Sequence, residues 1–271
     1  MTAERGCPSR ATVAARDLAR LVLPVECPGC RLPDEILCEV CAATLTRPVR
    51  RCEWDVPRLD KMDGWPPLPV WTVTTYTGPV RGVVVAWKDR GRRDLTARLV
   101  AAARRAGEEA APALGGRAST SGATSGAASG AASGRAGGPS GTPLWTGSLH
   151  VVPVPSTPAA RRRRGADLVR LLAAGVTEGL TAGGLPAQTA PVLRRRAAAD
   201  QVGLGARARG GNTSGIALRR QADVRGRWHV LVDDVVTTGS TLAACCRALE
   251  AAGGLVLGAV VLAATPSPTR R

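Results

Sequence analysis

From Val70 onward the chain alternates short apolar runs with stretches in which apolar residues recur every three to four positions. Val70 to Thr77 is rich in β-branched and aromatic residues, which predicts a strand. Val80 to about Ala113 has helical spacing, with a break near Asp89-Arg90-Gly91. Leu149 to Val154 predicts a second strand, closed by Pro153 and Pro155. Asp167 to about Gly179 reads as a helix and Ala190 to Leu193 as a short strand. His229 to Val232 is an apolar strand that ends at Asp233-Asp234. Ser240 to Ala252 predicts a helix halted by Gly253-Gly254, and Leu255 to Ala264 a last strand. Strands alternating with helices imply a parallel sheet covered on both faces, the α/β class.

The first third follows a different pattern. Residues 11–23 form an amphipathic helical stretch with Val13, Leu18, Leu21 and Val22 near one face, ended by Pro24. A cysteine-rich segment runs from Cys27 to about Cys52, and Trp65-Pro66-Pro67-Leu68-Pro69 reads as a linker. Residues 115–143 are almost pure Gly, Ala, Ser and Thr, a composition too poor in apolar area to offset chain entropy, and so predict a disordered insertion. The polar, Arg-rich residues 199–215 predict a mobile loop. The expected organisation is an N-terminal helix over 1–25, a head over 26–58, and an α/β domain over 68–271 interrupted at 115–143.

Composition adds two constraints. Phe is absent and aromatics make up 3%, so the core must be built from Val, Leu and Ala. The formal charge is +16, which attracts polyanions and suits phosphate or nucleic acid, although an Arg-rich composition alone would produce much of it. No apolar run reaches the roughly 18–20 residues a membrane-spanning helix needs. The N-terminal stretch is broken by Arg16, Asp17 and Arg20, unlike a signal peptide, so a cytoplasmic location with reduced thiols is expected.

The densest chemistry lies in Asp233-Asp234 and Thr237-Thr238-Gly239-Ser240-Thr241. A strand ending in two acids delivers carboxylates to the edge where open α/β sheets bind ligands. The Thr-Thr-Gly-Ser-Thr turn then enters a helix, where unpaired N–H groups and hydroxyls can cradle a phosphate. Acids beside a phosphate need other partners, and sugar hydroxyls or Mg²⁺ suit them. A ribose 5′-phosphate satisfies both halves. The plainer reading, Ser and Thr as helix caps, accounts for one hydroxyl rather than four beside two acids.

This segment resembles the phosphoribosyl pyrophosphate motif of type I phosphoribosyltransferases. The resemblance implies that fold, with Asp233 and Asp234 meeting the ribose hydroxyls and Thr237, Thr238, Gly239, Ser240 and Thr241 holding the 5′-phosphate. Further stretches resemble the ComF family: Tyr76-Thr77-Gly78-Pro79-Val80-Arg81-Gly82 with Trp87-Lys88-Asp89-Arg90-Gly91, then Val152-Pro153-Val154-Pro155-Ser156 leading to Arg164-Gly165-Ala166-Asp167, then Leu193-Arg194-Arg195, Gln201, Leu204, Arg207 and Asn212. The likeness implies pyrophosphate contacts from Ser156 and Arg164, and a loop over 200–212 that closes with Arg207 or Arg209 toward the departing pyrophosphate. Arg161–Arg164 also read as a solvated run at a helix start, where cations oppose the helix dipole. Asp167 stands where the family usually has Asn, and calls for pairing with Arg163 or Arg164.

Cys27-Pro28-Gly29-Cys30 and Cys38-Glu39-Val40-Cys41 form two Cys-x-x-Cys knuckles, spaced for a closed structural Zn²⁺ site; redox-active dithiols are the other reading. The spacing fits the ComF head, a zinc-ribbon-like module. Cys7 and Cys52 stand alone, Cys245 and Cys246 read as small core residues, and His150 and His229 as structural. The family likeness implies a transferase using phosphoribosyl pyrophosphate with Mg²⁺, an acceptor that the motifs leave open, and a role in DNA uptake. A phosphoribosyl-ligand sensor, or an adaptor for single-stranded DNA or DNA-uptake proteins, is the non-catalytic alternative.

Overall fold

A computed structural model describes residues 25–64, 66–125, 147–195 and 215–266. The helical stretch at 11–23, Trp65, and the loop with Arg207 and Arg209 lie outside the described residues. The elements in chain order are α1 (Glu39–Ala43), β1 (Arg50–Arg51), β2 (Val70–Thr75), α2 (Gly78–Asp89), α3 (Thr96–Ser125), β3 (Leu149–Pro153), α4 (Pro158–Arg164), α5 (Leu168–Ala182), β4 (Ala187–Thr189), β5 (Leu193–Arg195), β6 (Ile216–Leu218), β7 (Trp228–Val236), α6 (Ser240–Glu250) and β8 (Leu255–Ala264).

Six strands form one sheet in the order β1-β2-β8-β7-β3-β4, and β5 pairs with β6 in a separate antiparallel ribbon. Within the large sheet β2, β8, β7, β3 and β4 run parallel, while β1 is antiparallel at the edge. The expected helix-flanked parallel sheet is therefore present. Apolar cores lie on both faces, as a doubly covered sheet requires. One joins Val230 and Val232 of β7 with Val83, Trp87, Leu99, Leu172 and Val176 from α2, α3 and α5; the other joins Leu231 and Val236 with Leu242, Cys245 and Leu249 of α6. Alternation along β7 sends neighbouring residues to opposite cores.

Several elements differ from the sequence pattern. The helix expected to stop near Gly179 runs to Ala182, because Gly179 is a packing glycine rather than a terminator. Helix α3 continues to Ser125, so the first part of the Gly/Ala/Ser stretch expected to be disordered is helical. Leu114 and Ala118, one turn apart, are buried there and give that turn a packed face. The strand expected over Ala190–Leu193 is displaced: Ala190-Pro191-Val192 is the break between β4 and β5, and only Leu193 lies in a strand. Proline has no N–H for a ladder, which suits a break there.

The cysteine head does not stand apart. Cys27, Leu37, Cys38, Cys41 and Leu45 belong to the same core as α2 and α3. Residues 50–58, expected in the head, join the main sheet instead: Arg50 pairs with Thr72, Cys52 N–H donates to Val70 O at 2.9 Å, and Cys52 and Val56, with Leu59 beyond them, sit in the α6-side core. Their apolar side chains find area on the sheet that the small head cannot supply.

Candidate functional site

The acidic pair is placed by strand length. β3 pairs with β7 only as far as Pro153 opposite Val232, and Val154 N–H then donates to Val232 O at 2.8 Å. β7 goes on past that point against β8, with Asp233 opposite Val261 and Val236 opposite Ala264. The strand thus does not end at Asp233-Asp234, as the apolar pattern suggested; it carries the acids beyond the end of β3. The gap is bordered by Val154–Thr157, and a cavity of about 290 Å³ lies there. This is the crevice at the carboxyl ends of parallel strands where α/β folds bind ligands.

Asp233, Asp234, Ser156, Arg164 and Thr241 all line this cavity, so five of the expected site residues come together. Asp233 Oδ1 accepts from Asp234 N–H, and Asp234 Oδ1 from Val235 N–H, each at 2.8 Å. Burial, and next the charge of Asp234, push the Asp233 carboxyl well above the usual carboxylate range. Asp234 is buried, and its Oδ2 faces Lys88 Nζ at 2.5 Å.

Thr237, Thr238, Gly239 and Ser240 form the turn from β7 into α6, beside the cavity rather than among its lining residues. Gly239 is the N-cap, at φ +82°, a left-handed conformation that side chains rarely adopt. Space also requires glycine: a Cβ there would lie 2.3 Å from Val56 Cγ1. Arg58 N–H donates to Thr238 O at 3.0 Å, so the segment after the head buttresses the turn from below. Thr238 Oγ1 and Ser240 Oγ lie 2.9 Å apart, and both residues are exposed. Of the first turn of α6, Thr241 reaches the cavity.

The opposite wall is basic. The arginine run Arg161–Arg164 closes α4 rather than opening a helix, so its charges favour the dipole of that turn instead of opposing it. Arg164 is nine-tenths buried, and its Nε has no hydrogen-bond partner among the described residues. Arg163 and Arg164 pair with Asp89 at 3.1 and 3.5 Å. Asp167 therefore pairs with neither; it caps α5 through Arg170 N–H at 3.4 Å and lies 3.9 Å from Arg161. Lys88 and Arg195 also line the cavity and were not singled out from the sequence. Arg195 is fixed by a 3.0 Å bond from Nε to Pro155 O. The only sequence signal for Lys88 was its place in Trp87-Lys88-Asp89-Arg90-Gly91.

The second site is the head. The sulfurs of Cys27, Cys30, Cys38 and Cys41 lie within 4.8 Å of one another, with Cys27–Cys38 at 3.7 Å and Cys30–Cys38 at 3.5 Å. Four thiolates about 2.3 Å from one Zn²⁺ would sit roughly 3.8 Å apart at tetrahedral corners, so the set fits a closed structural zinc site. The Cys27 thiol is drawn down to about 6: burial opposes this, but hydrogen bonds with the backbone of Cys38, Cys30 and Gly29 outweigh it. Burial first, then the neighbouring thiols, push Cys41 up. Cys52 is buried in the α6-side core, outside this group. Cys245 and Cys246 are core residues of α6, as expected.

Comparison with known proteins agrees with this geometry. Residues 179–271 match the family described as Phosphoribosyl transferase domain. A stretch of 40 residues is 50% identical to an orotate phosphoribosyltransferase from Pyrobaculum islandicum, covering 15% of this chain. That stretch spans 21% of the relative's length. The mostly parallel, helix-flanked sheet is the phosphoribosyltransferase type of fold, and beside it lies a cysteine cluster that fits a zinc module.

Proposed function

We propose that the chain binds phosphoribosyl pyrophosphate with Mg²⁺ and transfers its phosphoribosyl group to an acceptor. One observation carries this: a single cavity brings the acidic pair, the first turn of α6, and the buried Arg164 together at the carboxyl edge of the sheet. Asp233 and Asp234 face the ribose hydroxyls. The Thr237–Thr241 turn holds the 5′-phosphate through N–H groups and hydroxyls. Ser156 and Arg164 take the pyrophosphate, and a phosphate oxygen would satisfy the otherwise unpartnered, buried Arg164 Nε. Arg207 is the further cation assigned to the departing pyrophosphate.

In the transfer, the acceptor's nucleophile bonds to C1 of the ribose as the C1–O bond breaks and pyrophosphate leaves with the electron pair. The basic wall stabilises that charge, and such preorganised electrostatics carry much of the rate in comparable sites. A bound Mg²⁺ would supply positive charge against the departing pyrophosphate, and Asp233 and Asp234 would help hold it through the sugar hydroxyls that they bind. The ComF-like stretches and the cysteine head support a place for this chemistry in DNA uptake, with single-stranded DNA or uptake proteins as partners. Structural Zn²⁺ on Cys27, Cys30, Cys38 and Cys41 holds the head.

Replacing both Asp233 and Asp234 by Asn should abolish calorimetric binding of phosphoribosyl pyrophosphate with Mg²⁺. Unchanged affinity in the folded variant would defeat the assignment. A screen for pyrophosphate release across bases, amines and nucleic acid identifies the acceptor, and tight binding with no release from any of them would instead support a sensor.

A further inference from the structure

The last turn of α2 aims a cation at the acidic pair. Lys88 Nζ lies 2.5 Å from Asp234 Oδ2, and the Lys88 side chain is 31% exposed. It does not hang from a loose helix end. Trp87, fully buried, donates from Nε1 to Thr96 Oγ1 at 3.0 Å, and its carbonyl accepts from Arg93 Nη1 at 3.3 Å. On the other side, Asp89 holds Arg163 at 3.1 Å. The neighbours of Lys88 are thus pinned to α3, to the turn before it, and to α4. Asp234 is fixed from its own side by the bond from Val235 N–H to Oδ1, which leaves Oδ2 to Lys88.

We propose that Lys88 is a positioning residue for the acidic pair, supplying from α2 the counter-charge that fixes Asp234 across the cavity before any ligand arrives. The proposal rests on the phosphoribosyl reading only for what the pair then binds. Two acids on consecutive residues, both in one cavity, repel each other, and burial makes the repulsion stronger. The groups facing them are Lys88 from α2, Arg164 from α4, Arg195 from β5 and Thr241 from α6, with Cys245 of α6 packed near Asp233. Of the three cations, Arg164 is paired with Asp89 and Arg195 bonds the Pro155 carbonyl. Lys88 is the one whose ion pair is with the acids themselves. Its charge also works against the upward pull on Asp233. A lysine suits this role better than a fixed guanidinium fork, because its flexible stem can follow the carboxylate when sugar hydroxyls bind.

The test is a pH titration of the full chain, ¹³C-labelled at aspartate carboxyls, without ligand, for wild type, Lys88→Gln and Lys88→Arg. An opposite charge this close typically lowers carboxyl ionisation by about 1–3 pH units, so in K88Q the ionisation of the pair should move up by about one unit or more. K88R should stay near wild type. The pH below which calorimetric affinity for phosphoribosyl pyrophosphate with Mg²⁺ is lost should move up in step. A pair that titrates alike in folded K88Q and wild type overturns the proposal, whatever binding does. A shift in K88Q with no binding of phosphoribosyl pyrophosphate by wild type supports Lys88 and overturns the ligand reading. If K88Q does not fold, Lys88→Met keeps the stem and the same criterion applies.

Discussion

His150 and His229 lie opposite each other on β3 and β7, with ring centroids 5.4 Å apart and nearly perpendicular rings. His229 is fully buried. Burial, then repulsion from His150, draws its pKa from 6.5 to about 4. Because the folded value lies below the unfolded one, the unfolded chain takes up the proton first as pH falls. Stability should therefore decline from about pH 6.5 down to about pH 4, by about 3 kcal/mol at roughly 1.4 kcal/mol per pKa unit. Urea unfolding of wild type and His229→Leu at several pH values checks this. A difference between the two that stays constant from pH 7 to pH 4.5 would count against it. In the sequence both histidines read as structural, since no ligand partners stand at suitable spacing, but only strand register sets the rings face to edge. The same limit applied to Lys88, which lies far from Asp234 in the chain and meets it only through packing.

At the scale of elements, the contact between α3 and α5 depends on glycine. A Cβ on Gly179 would lie 1.8 Å from Arg104 O, and one on Gly175 2.7 Å from Val100 O. The two glycines stand one turn apart on α5 and let the backbones approach closely. Gly179→Ala should therefore destabilise despite the higher helix propensity of alanine, by about 1–3 kcal/mol from overpacking. At this size that corresponds to a melting temperature lower by roughly 2–12 °C in calorimetry. A rise in melting temperature would show that the helices can separate without cost. Glycine in sequence reads as a helix stop, which explains the expected end of α5 near Gly179. Likewise, Thr237 to Thr241 announce a turn and a helix start, whereas the buttress beneath Gly239 comes from Val56 and Arg58, expected in the head, and from Leu59 just beyond it.

For the whole molecule, the head and the α/β domain share one core. Pro28 O lies where a Cβ on Gly82 would be, 2.1 Å away, so the first knuckle rests directly on α2. Arg92 donates to Glu26 O and Ile36 O, both at 3.1 Å, tying both knuckles to the turn after α2. Metal analysis should find about one Zn²⁺ per chain, lost in Cys38→Ser. Because the cores are continuous, metal loss should lower a single unfolding transition of the whole chain rather than melt the head alone. A metal-free chain with an unmoved melting temperature would remove zinc from the account. No helix among the described residues is long and apolar enough to cross a membrane.

Legible in the sequence alone were the main strands and helices from Val70 to Ala264, though not α4, β6 or the separate β4 and β5, together with the Cys-x-x-Cys pairs and the acidic, hydroxyl-rich segment. These are local patterns: side-chain periodicity, ligand spacing, and the glycine a turn demands. Tertiary structure alone decided that β7 outruns β3 and so opens a cavity beside its acids. It also decided that Lys88 and Arg195 face that cavity and that residues 50–58 leave the head for the sheet. Each of these depends on which distant segments share a core, and burying apolar area selects such partners by fit rather than by any pattern within a few residues.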